Sequence, residues 1–265
     1  MDQPARRGPG GASSAHAMEA RLIVHGPASG AWNMAADECL LESARHGGPP
    51  CLRFYAWEPA TLSLGYFQQA NDRRVHPSSE SIPCVRRTTG GGAIIHDHEL
   101  TYAFAIGEPP SARRDRLELY NVFHETARDL LAEHRVASRL WTPSEARDVE
   151  RWDDPFLCFL RRAPGDLVVG RRKVLGSAQR RRFGGLLQHG SLIFGRSSFA
   201  PEIDGLAETA AASIDPFEFA SRWQRALADR LGLRWSRSDL TSEERERIDR
   251  IALGQFGHSD WTGRR

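Results

Sequence analysis

The sequence has almost no lysine. Of its 36 lysine and arginine residues, Lys173 is the single lysine. A composition so biased towards arginine indicates that position 173 requires more than positive charge. An ammonium group is a compact donor, whereas a guanidinium group is planar, bulky and always protonated, so the two are poor substitutes where one oxygen must be bound. Lys173 is therefore the first candidate catalytic residue, the alternative being a surface lysine retained by chance.

Other absences exclude whole classes of protein. The formal net charge is only +2, which gives no general reason to expect nucleic-acid binding. No apolar run approaches the roughly 20 residues that cross a bilayer, and no secretory signal precedes the fold. The cysteines lack CxxC spacing, which argues against zinc and a disulfide framework: Cys39, Cys51, Cys84 and Cys158. We therefore expect a cytoplasmic protein without a metal.

Around Lys173 the sequence combines small residues with positive charge. Three small residues, Gly176, Ser177 and Ala178, follow the lysine within a strand-like stretch. Small residues in a strand indicate close approach of a ligand or another backbone. The same region is rich in basic residues, and we expect this cluster to attract an acidic protein partner: Arg171, Arg172, Lys173, Arg180, Arg181 and Arg182.

A glycine triplet, Gly90, Gly91 and Gly92, lies between two strand-like segments. Without Cβ atoms, its backbone N–H groups can turn towards a carbonyl or phosphate, and an apolar chain can lie against it. No Gly-Lys-Ser/Thr and no helix pattern follow, so it is neither a P-loop nor a dinucleotide fingerprint; a plain tight turn is the alternative. On the following strand His96 and His98 would share one face, but without an evident third ligand we expect a polar network rather than a metal site.

The hydrophobic patterns predict an α/β (or α+β) fold with a mixed, largely hairpin-connected sheet flanked by helices. Residues 1–18, rich in small residues, are expected to be a disordered leader, and residues 20–262 a single domain. Strands are predicted at 21–24, 52–57, 61–64, 84–87, 93–96, 100–106, 156–160, 167–169, 173–179 and 186–194. Glu58-Pro59 reads as a hairpin connection. Helices are predicted at 31–45, 114–133, with Leu117 on the buried face, 216–231, and from Thr241.

Several of these segments together resemble the lipoate-protein ligase A and octanoyltransferase superfamily. The likeness covers nearly all of residues 20–262 and is carried, in order, by 33–37 (NMAAD), 63–68 (SLGYFQ), 86–97 (RRTTGGGAIIHD), 170–179 (GRRKVLGSAQ) and 188–192 (QHGSL). It implies the fold of biotin and lipoate protein ligases, no cofactor, an acyl-chain tunnel beside the triplet, and Lys173 at the acyl carbonyl or acyl-phosphate. The implied substrate-binding residues are Arg87, Gly90, Gly91, Gly92, His96, Gly176, Ser177, Ala178 and His189.

Cys158 separates the two chemistries of this superfamily. Octanoyltransferases of its ligase-like branch are similar in having a Cys-Phe at this place, and their thiolate carries the octanoyl group from acyl carrier protein to a lipoyl-domain lysine. The implied acceptors are the glycine cleavage H protein or a 2-oxoacid dehydrogenase E2. ATP-dependent ligases tend to show Arg-Asn-Asp before the lysine segment. Here residues 163–166 read Ala-Pro-Gly-Asp, so only the Asp matches. We also expect no additional ligase C-terminal domain after Trp261.

We therefore expect an octanoyltransferase with Cys158 and Lys173 as catalytic residues. Cationic neighbours lower the pKa of a thiol, and we expect Lys173 to have this effect. A free cysteine between Leu157 and Phe159 could equally be a buried apolar side chain. The alternatives that stay open are an ATP-dependent lipoate ligase, an amidotransferase that takes its acyl group from an acylated lipoyl domain, and a non-catalytic acyl-binding protein.

Overall fold

The computed structural model describes residues 17–108, 116–142, 144, 155–182 and 184–265. Its strands are β1 (Met18–Val24), β2 (Cys51–Tyr55), β3 (Thr61–Leu64), β4 (Cys84–Arg86), β5 (Ile94–His96), β6 (Glu99–Gly107), β7 (Ser138–Leu140), β8 (Leu167–Val169), β9 (Arg172–Arg182), β10 (Gly185–Ile193) and β11 (Leu233–Arg237). Its α-helices are α1 (Gly30–Arg45), α2 (Arg116–Glu133), α3 (Leu206–Ala210), α4 (Pro216–Leu231), α5 (Ser242–Ile251) and α6 (Ser259–Thr262), with a π-helical turn at Ala252–Phe256.

Two sheets organise the described residues. The larger has eight strands in the order β11-β1-β2-β6-β10-β9-β8-β7, and the smaller has the order β4-β3-β5. In the larger sheet only the pairs β1–β11 and β1–β2 are parallel, so the predicted mixed, largely antiparallel sheet is confirmed. The short gaps between β8, β9 and β10 form antiparallel connections, as expected where no crossover helix fits.

Helices cover both faces of the larger sheet, because its strands direct apolar side chains alternately to one face and to the other. On β2, Leu52 and Phe54 point to the core shared with α2 and α4, whereas Cys51 and Tyr55 point to the core shared with α1 and α5. Such two-sided burial matches the period of two in a strand. A third apolar cluster lies beneath the smaller sheet and includes Leu157, which brings the Cys158 segment against that sheet.

The helix ends follow their sequence signals. Asp215 accepts hydrogen bonds from the backbone N–H groups of Phe217 and Glu218 at the start of α4. At α5, Thr241 and Glu244 form the predicted reciprocal capping box. At the start of α2 the prediction was less accurate: Leu117 is 46% exposed and Leu119 is buried instead.

Three other predictions were wrong. Glu58-Pro59 does not close a hairpin, because β2 pairs within the larger sheet and β3 within the smaller one. Residues 156–160 form no regular strand; only Leu157 makes an isolated bridge, to Ala93, and a 3-10 turn follows at Cys158–Leu160. Met18, placed in the leader, begins β1. Residues 1–16 of the predicted leader lie outside the described residues.

Candidate active site

Cys158 is held against the glycine triplet by backbone hydrogen bonds. Its N–H donates to the carbonyl of Ala93 over 2.7 Å, and the N–H of Ala93 donates to the carbonyl of Phe156 over 2.9 Å. Cys158 begins the 3-10 turn, and its side chain is half-buried. A Cβ on Gly91 would lie 3.9 Å from Cys158 Sγ, and one on Gly92 would lie 3.0 Å from the Cys158 nitrogen. The absence of side chains on the triplet therefore leaves the thiol accessible.

A β-bulge aims Lys173 at this thiol. Leu167 pairs with Leu175, but the next residue, Val168, pairs with Lys173, so Val174 has no counterpart on β8. Leu167 and Val168 are neighbours on β8 and point to opposite faces of the sheet, so their partners Leu175 and Lys173 also point to opposite faces. Without the bulge, Leu175 and Lys173 would be two apart in a regular strand and would share a face. The lysine then folds over Gly176, whose Cβ would lie 2.3 Å from Lys173 Cε.

The ammonium group of Lys173 lies between a carboxylate and the thiol. Its Nζ is 2.9 Å from Asp166 Oδ2 and 3.7 Å from Cys158 Sγ. Burial opposes the charged form, but attraction to a Cys158 thiolate and to Asp166 outweighs burial and raises the pKa of Lys173 above its ordinary value. Asp166 also accepts hydrogen bonds from Tyr120 Oη (2.6 Å) and the N–H of Ala163 (2.7 Å). Lys173 is therefore charged and fixed in place.

Arg87 supports the triplet from within. Its guanidinium group donates to the carbonyls of Ser63, Gly90 and Gly92 over 2.6–2.9 Å, and to Ser63 Oγ over 3.0 Å. Burial lowers the pKa of Arg87 to about 10, so the group remains charged at neutral pH. Among the described residues no carboxylate forms an ion pair with it. The charge therefore adds positive potential beside Cys158.

A narrow cavity borders Cys158. Its walls are mainly apolar and aromatic, with Met34, Trp57, Ile94 and Phe159 among them, which suits a hydrocarbon chain. Predicted site residues lining it are Arg87, Gly90, Gly91, His96, Cys158, Gly176, Ser177, Ala178 and His189. Gly92 and Lys173 do not line it: Gly92 lies against the Cys158 backbone, and Lys173 approaches the thiol from the side of Asp166.

His189 belongs to a buried polar network that begins on α1. Its Nδ1 lies 3.0 Å from Asp37 Oδ2, and its Nε2 lies 2.7 Å from Thr89 Oγ1. Asp37 forms a buried ion pair with Arg53 (3.0 Å) and accepts from Tyr55 Oη (2.9 Å). Thr89 precedes the triplet, so this network fixes the cavity wall.

His96 belongs to a second network, as expected. Its Nε2 lies 2.7 Å from Ser63 Oγ, its Nδ1 lies 2.5 Å from Glu99 Oε1, and its ring stacks on Trp57 at 3.7 Å. His98, expected on the same face, is instead exposed and lies 3.6 Å from Asp97. The two histidines therefore do not face one another. The described part of the chain contains no group of three or more histidine, cysteine or acidic residues that could hold a metal ion.

Ser177 is oriented by a chain of hydrogen bonds. Burial lowers the pKa of His124 to about 4, so its ring is neutral. Its Nδ1 lies 2.7 Å from the carbonyl of Gly165 and must carry the proton, so its Nε2 accepts from Ser177 Oγ at 2.7 Å. Ser177 Oγ in turn accepts from Tyr102 Oη at 2.7 Å. The hydroxyl of Ser177 thus points away from the cavity.

The predicted basic cluster is not one surface. Lys173 is buried, and three arginines pair with acids: Arg172 with Asp204 (3.3 Å), Arg181 with Glu108 (2.9 Å) and Arg182 with Glu38 (2.6 Å). These pairs neutralise much of the charge that would attract an acidic partner. Arg180 differs, because it donates to the carbonyl of Thr88 over 2.7 Å beside the triplet.

Several residues that hold the site together were not predicted from the sequence. Asp166 was noted only as a partial ligase match, and no role was predicted for Tyr120, His124 or Thr89. The signal for Asp166 was its position seven residues before the only lysine, on the far side of short β8. Tyr120 and His124 are four apart on α2, a spacing that places them on one helix face.

In the described part of the chain, no helix is both long enough and apolar enough to span a bilayer. The profile of the lipoyl protein ligase A/B catalytic domain matches residues 29–203. The octanoyltransferase LipM of Brevibacillus brevis is 30% identical over 274 residues, which cover 92% of this chain and 99% of that protein. LipM of Bacillus subtilis is 39% identical over 181 residues, which cover 65% of this chain and 64% of that protein.

Solved structures agree on the fold. Lipoate-protein ligase A bound with ATP superposes with a TM-score of 0.73 at 21% identity, covering 93% of this chain and 99% of that one. A bi-partite lipoate protein ligase from Thermoplasma acidophilum, studied with its E2 lipoyl domain, gives a TM-score of 0.72 at 18% identity, with 93% and 96% covered. The predicted fold class is confirmed by this likeness.

Proposed function

Because this chain belongs to the lipoyl protein ligase A/B catalytic domain family, we propose that its reaction proceeds through an octanoyl thioester on Cys158. The chain is an octanoyltransferase of lipoate biosynthesis, similar over nearly its whole length to LipM proteins. The family acts on lipoyl-domain proteins. We further propose that acyl carrier protein donates the octanoyl group and that a particular lipoyl-domain protein accepts it.

One observation carries this route: Lys173 Nζ lies 3.7 Å from Cys158 Sγ, and Cys158 lines the apolar cavity. A buried ammonium group stabilises a thiolate, which is the nucleophilic form of cysteine. Cys158 is also half-buried rather than enclosed, so a substrate can reach its sulfur. Both features support a nucleophile rather than a structural cysteine.

In the first step the Cys158 thiolate attacks the carbonyl carbon of octanoyl acyl carrier protein. The C–S bond to Cys158 forms, the C–S bond to the carrier breaks, and the carrier leaves as a thiolate. The charge that develops on the carbonyl oxygen needs a fixed donor, and Lys173 is the side chain assigned to that role. One thioester replaces another, so the step needs no ATP.

In the second step the neutral amine of a lipoyl-domain lysine attacks the Cys158 thioester. An amide bond forms, the C–S bond to Cys158 breaks, Cys158 leaves as a thiolate, and the proton that the amine loses passes to water. Amide formation from a thioester is downhill, which drives the sequence forward. The proposed acceptors are the glycine cleavage H protein or a 2-oxoacid dehydrogenase E2.

One feature favours the ATP-dependent ligase as a second candidate. Asp166 forms the ion pair with Lys173. It is also the one residue of 163–166 that matches the Arg-Asn-Asp of ligases. A ligase would activate free octanoate as an adenylate and leave no acyl group on cysteine. An acylated lipoyl domain as donor would still form the thioester on Cys158, so it differs from our proposal only in the source of the acyl group.

Intact-mass analysis tests the proposal. The protein is mixed with octanoyl acyl carrier protein without ATP, and we expect one octanoyl increment that hydroxylamine removes. Cys158→Ala should show no increment and no transfer, whereas Cys84→Ala, a matched control at another incompletely buried cysteine, should behave like the parent. Transfer by Cys158→Ala at the parent rate, or a strict need for ATP, would replace the transferase by the ligase.

A further inference from the structure

A cluster of arginines with no assigned role lies near the glycine triplet. Arg180, Arg264 and Arg265 gather around the ring of Tyr66, with their Cζ atoms 5.8, 4.8 and 5.3 Å from its centroid. None of the three forms an ion pair with a carboxylate within the described residues. We call these four residues the arginine corner. It brings three positive charges together without neutralising them, unlike Arg172, Arg181 and Arg182.

Buried Arg86 makes this corner rigid. Its Nη1 donates to the carbonyls of Gly65 (2.9 Å) and Gln68 (2.7 Å), and its Nε donates to the carbonyl of Thr262 (2.9 Å). Trp261 Nε1 donates to the carbonyl of Arg86 over 2.8 Å. One side chain therefore fastens the turn that carries Tyr66 to the segment that carries Arg264 and Arg265.

A series of contacts leads from the corner to the thiol. Arg265 Cζ lies 5.3 Å from the ring of Phe67, and that ring lies 3.7 Å from where a Cβ of Gly90 would be. Gly91, next in the chain, borders Cys158. Gly91 also lines a surface groove in which Phe67 and Val75 are 68% and 70% exposed. Exposed apolar side chains along a groove are typical of an interaction site.

We propose that the arginine corner binds the phosphate of the prosthetic arm of an acyl carrier protein, so that the octanoyl donor docks on this face. The inference rests on the proposed function. Guanidinium groups match the oxygens of a phosphate with paired, charge-assisted hydrogen bonds. The rest of the arm is long and largely uncharged, and it would follow Phe67 and the triplet to Cys158.

The same features disfavour the acceptor as the occupant. An acceptor lysine carries its charge at the end of a short side chain, and three arginines repel a cation. The pKa of Arg86 is consistent with this repulsion. Burial lowers it most, and the positive charges of Arg264 and Arg265 lower it further. The corner therefore has a positive potential, which attracts a phosphate and the acidic surface of a carrier.

Kinetics of Arg264→Glu/Arg265→Glu with three donors test the proposal: octanoyl carrier protein, octanoyl-coenzyme A, whose arm has the phosphate but no protein, and octanoyl-pantetheine, which has neither. Octanoyl-pantetheine serves as the reference, because it lacks both the phosphate and the protein. Relative to the change with this reference, we expect kcat/KM to fall on the order of tenfold with octanoyl carrier protein and by a smaller factor with octanoyl-coenzyme A. The carrier rate should also lose most of its salt dependence. The control Arg225→Glu, exposed on α4, should match the parent.

Three results would overturn the inference. An equal fall for all three donors would mean that the variant damages the site itself. A higher KM for the lipoyl-domain acceptor, with the carrier unaffected, would make the corner the acceptor's docking surface. An unchanged carrier rate would remove it from docking altogether. Failure of the parent protein to form a thioester with any of the three donors would instead contradict the proposed function, so the two failures are distinguishable.

Discussion

Lys173 Nζ lies 2.9 Å from Asp166 Oδ2, and the two side chains are only 5% and 1% exposed. An ammonium group carries three protons. Asp166 accepts a hydrogen bond from one of these, and the remaining N–H groups can donate to Cys158 or to a substrate oxygen. The buried ion pair therefore orients the lysine and leaves donors free for the reaction. Gly176 makes this arrangement possible, because any larger residue would collide with the Lys173 side chain.

Lys173→Arg should abolish octanoyl transfer although the charge is kept. The lysine is already packed over Gly176, and the larger planar guanidinium group cannot occupy the same space. We expect transfer to fall by about 100-fold or more, the usual effect of removing a donor to a developing oxyanion. Steady-state transfer assays measure the loss, and circular dichroism checks the fold. Activity within a few-fold of the parent would contradict the assigned role.

Gly91→Val should block binding of the acyl group. Gly91 has a φ of +93°, and a Cβ there would lie 3.1 Å from Arg87 Nη2 and 3.9 Å from Cys158 Sγ. A branched side chain would therefore occupy the space that the octanoyl chain needs. Equilibrium binding of an octanoyl substrate measures the effect, which we expect to exceed about tenfold in Kd.

Gly47→Val is the matched control for this substitution. Gly47 has a similar φ of +88°, but no atom lies within 4 Å of its added Cβ. Both variants suffer the same backbone strain, so both should lose stability. Only Gly91→Val should lose acyl affinity. Equal affinities in the two variants would exclude a chain-binding role for the triplet.

The sequence predicted the components of the site better than their arrangement. The resemblance brought Cys158, Lys173 and the triplet together in advance. It could not show how Lys173 reaches Cys158, because this depends on the bulge at Val174. Two adjacent apolar residues, Val174 and Leu175, do not by themselves show that a strand carries an extra residue. Asp166 was overlooked for the same reason, since its role exists only once β8 pairs with β9.

The errors in the fold have a related cause. Pro59 signals a turn, but a turn does not specify whether the following strand returns to the same sheet. The apolar run at 156–160 matched a strand because each side chain is at least half-buried, yet its backbone makes one bridge and then a turn. Burial was predicted correctly in this run, and hydrogen-bond pairing was not.

The stability of the protein should depend on pH through His124. Burial lowers the pKa of this histidine to about 4 in the folded state, whereas an unfolded histidine titrates near pH 6.5. Between these values the unfolded chain binds a proton that the folded chain does not, so the free energy of unfolding falls as pH falls through this window. The loss should total roughly 3 kcal/mol.

Denaturant unfolding of the parent and of His124→Gln at pH 7 and pH 4.5 measures this dependence. Glutamine cannot titrate, so the variant should lose less stability on acidification than the parent. Other histidines and the carboxylates contribute to both proteins and cancel in the difference. Equal losses would mean that burial does not lower the pKa of His124, because the folded and unfolded chains would then bind the proton at the same pH.

Arg87 should have two separable effects, one from its shape and one from its charge. Arg87→Lys keeps the charge but cannot bind the carbonyls of Ser63, Gly90 and Gly92 together, so the triplet should loosen and KM for an octanoyl donor should rise about tenfold.

Arg87→Met removes the charge as well as the shape. Burial lowers the pKa of Arg87, and attraction to a Cys158 thiolate acts in the opposite direction, so the two groups interact. Removing the guanidinium group therefore removes positive potential beside Cys158. Iodoacetamide labelling of Cys158, followed by mass spectrometry, should therefore be slowed by Arg87→Met and much less by Arg87→Lys. Equal labelling rates in both variants and the parent would show that Lys173 alone supports the thiolate, and Arg87 would then act only by holding the backbone of the triplet.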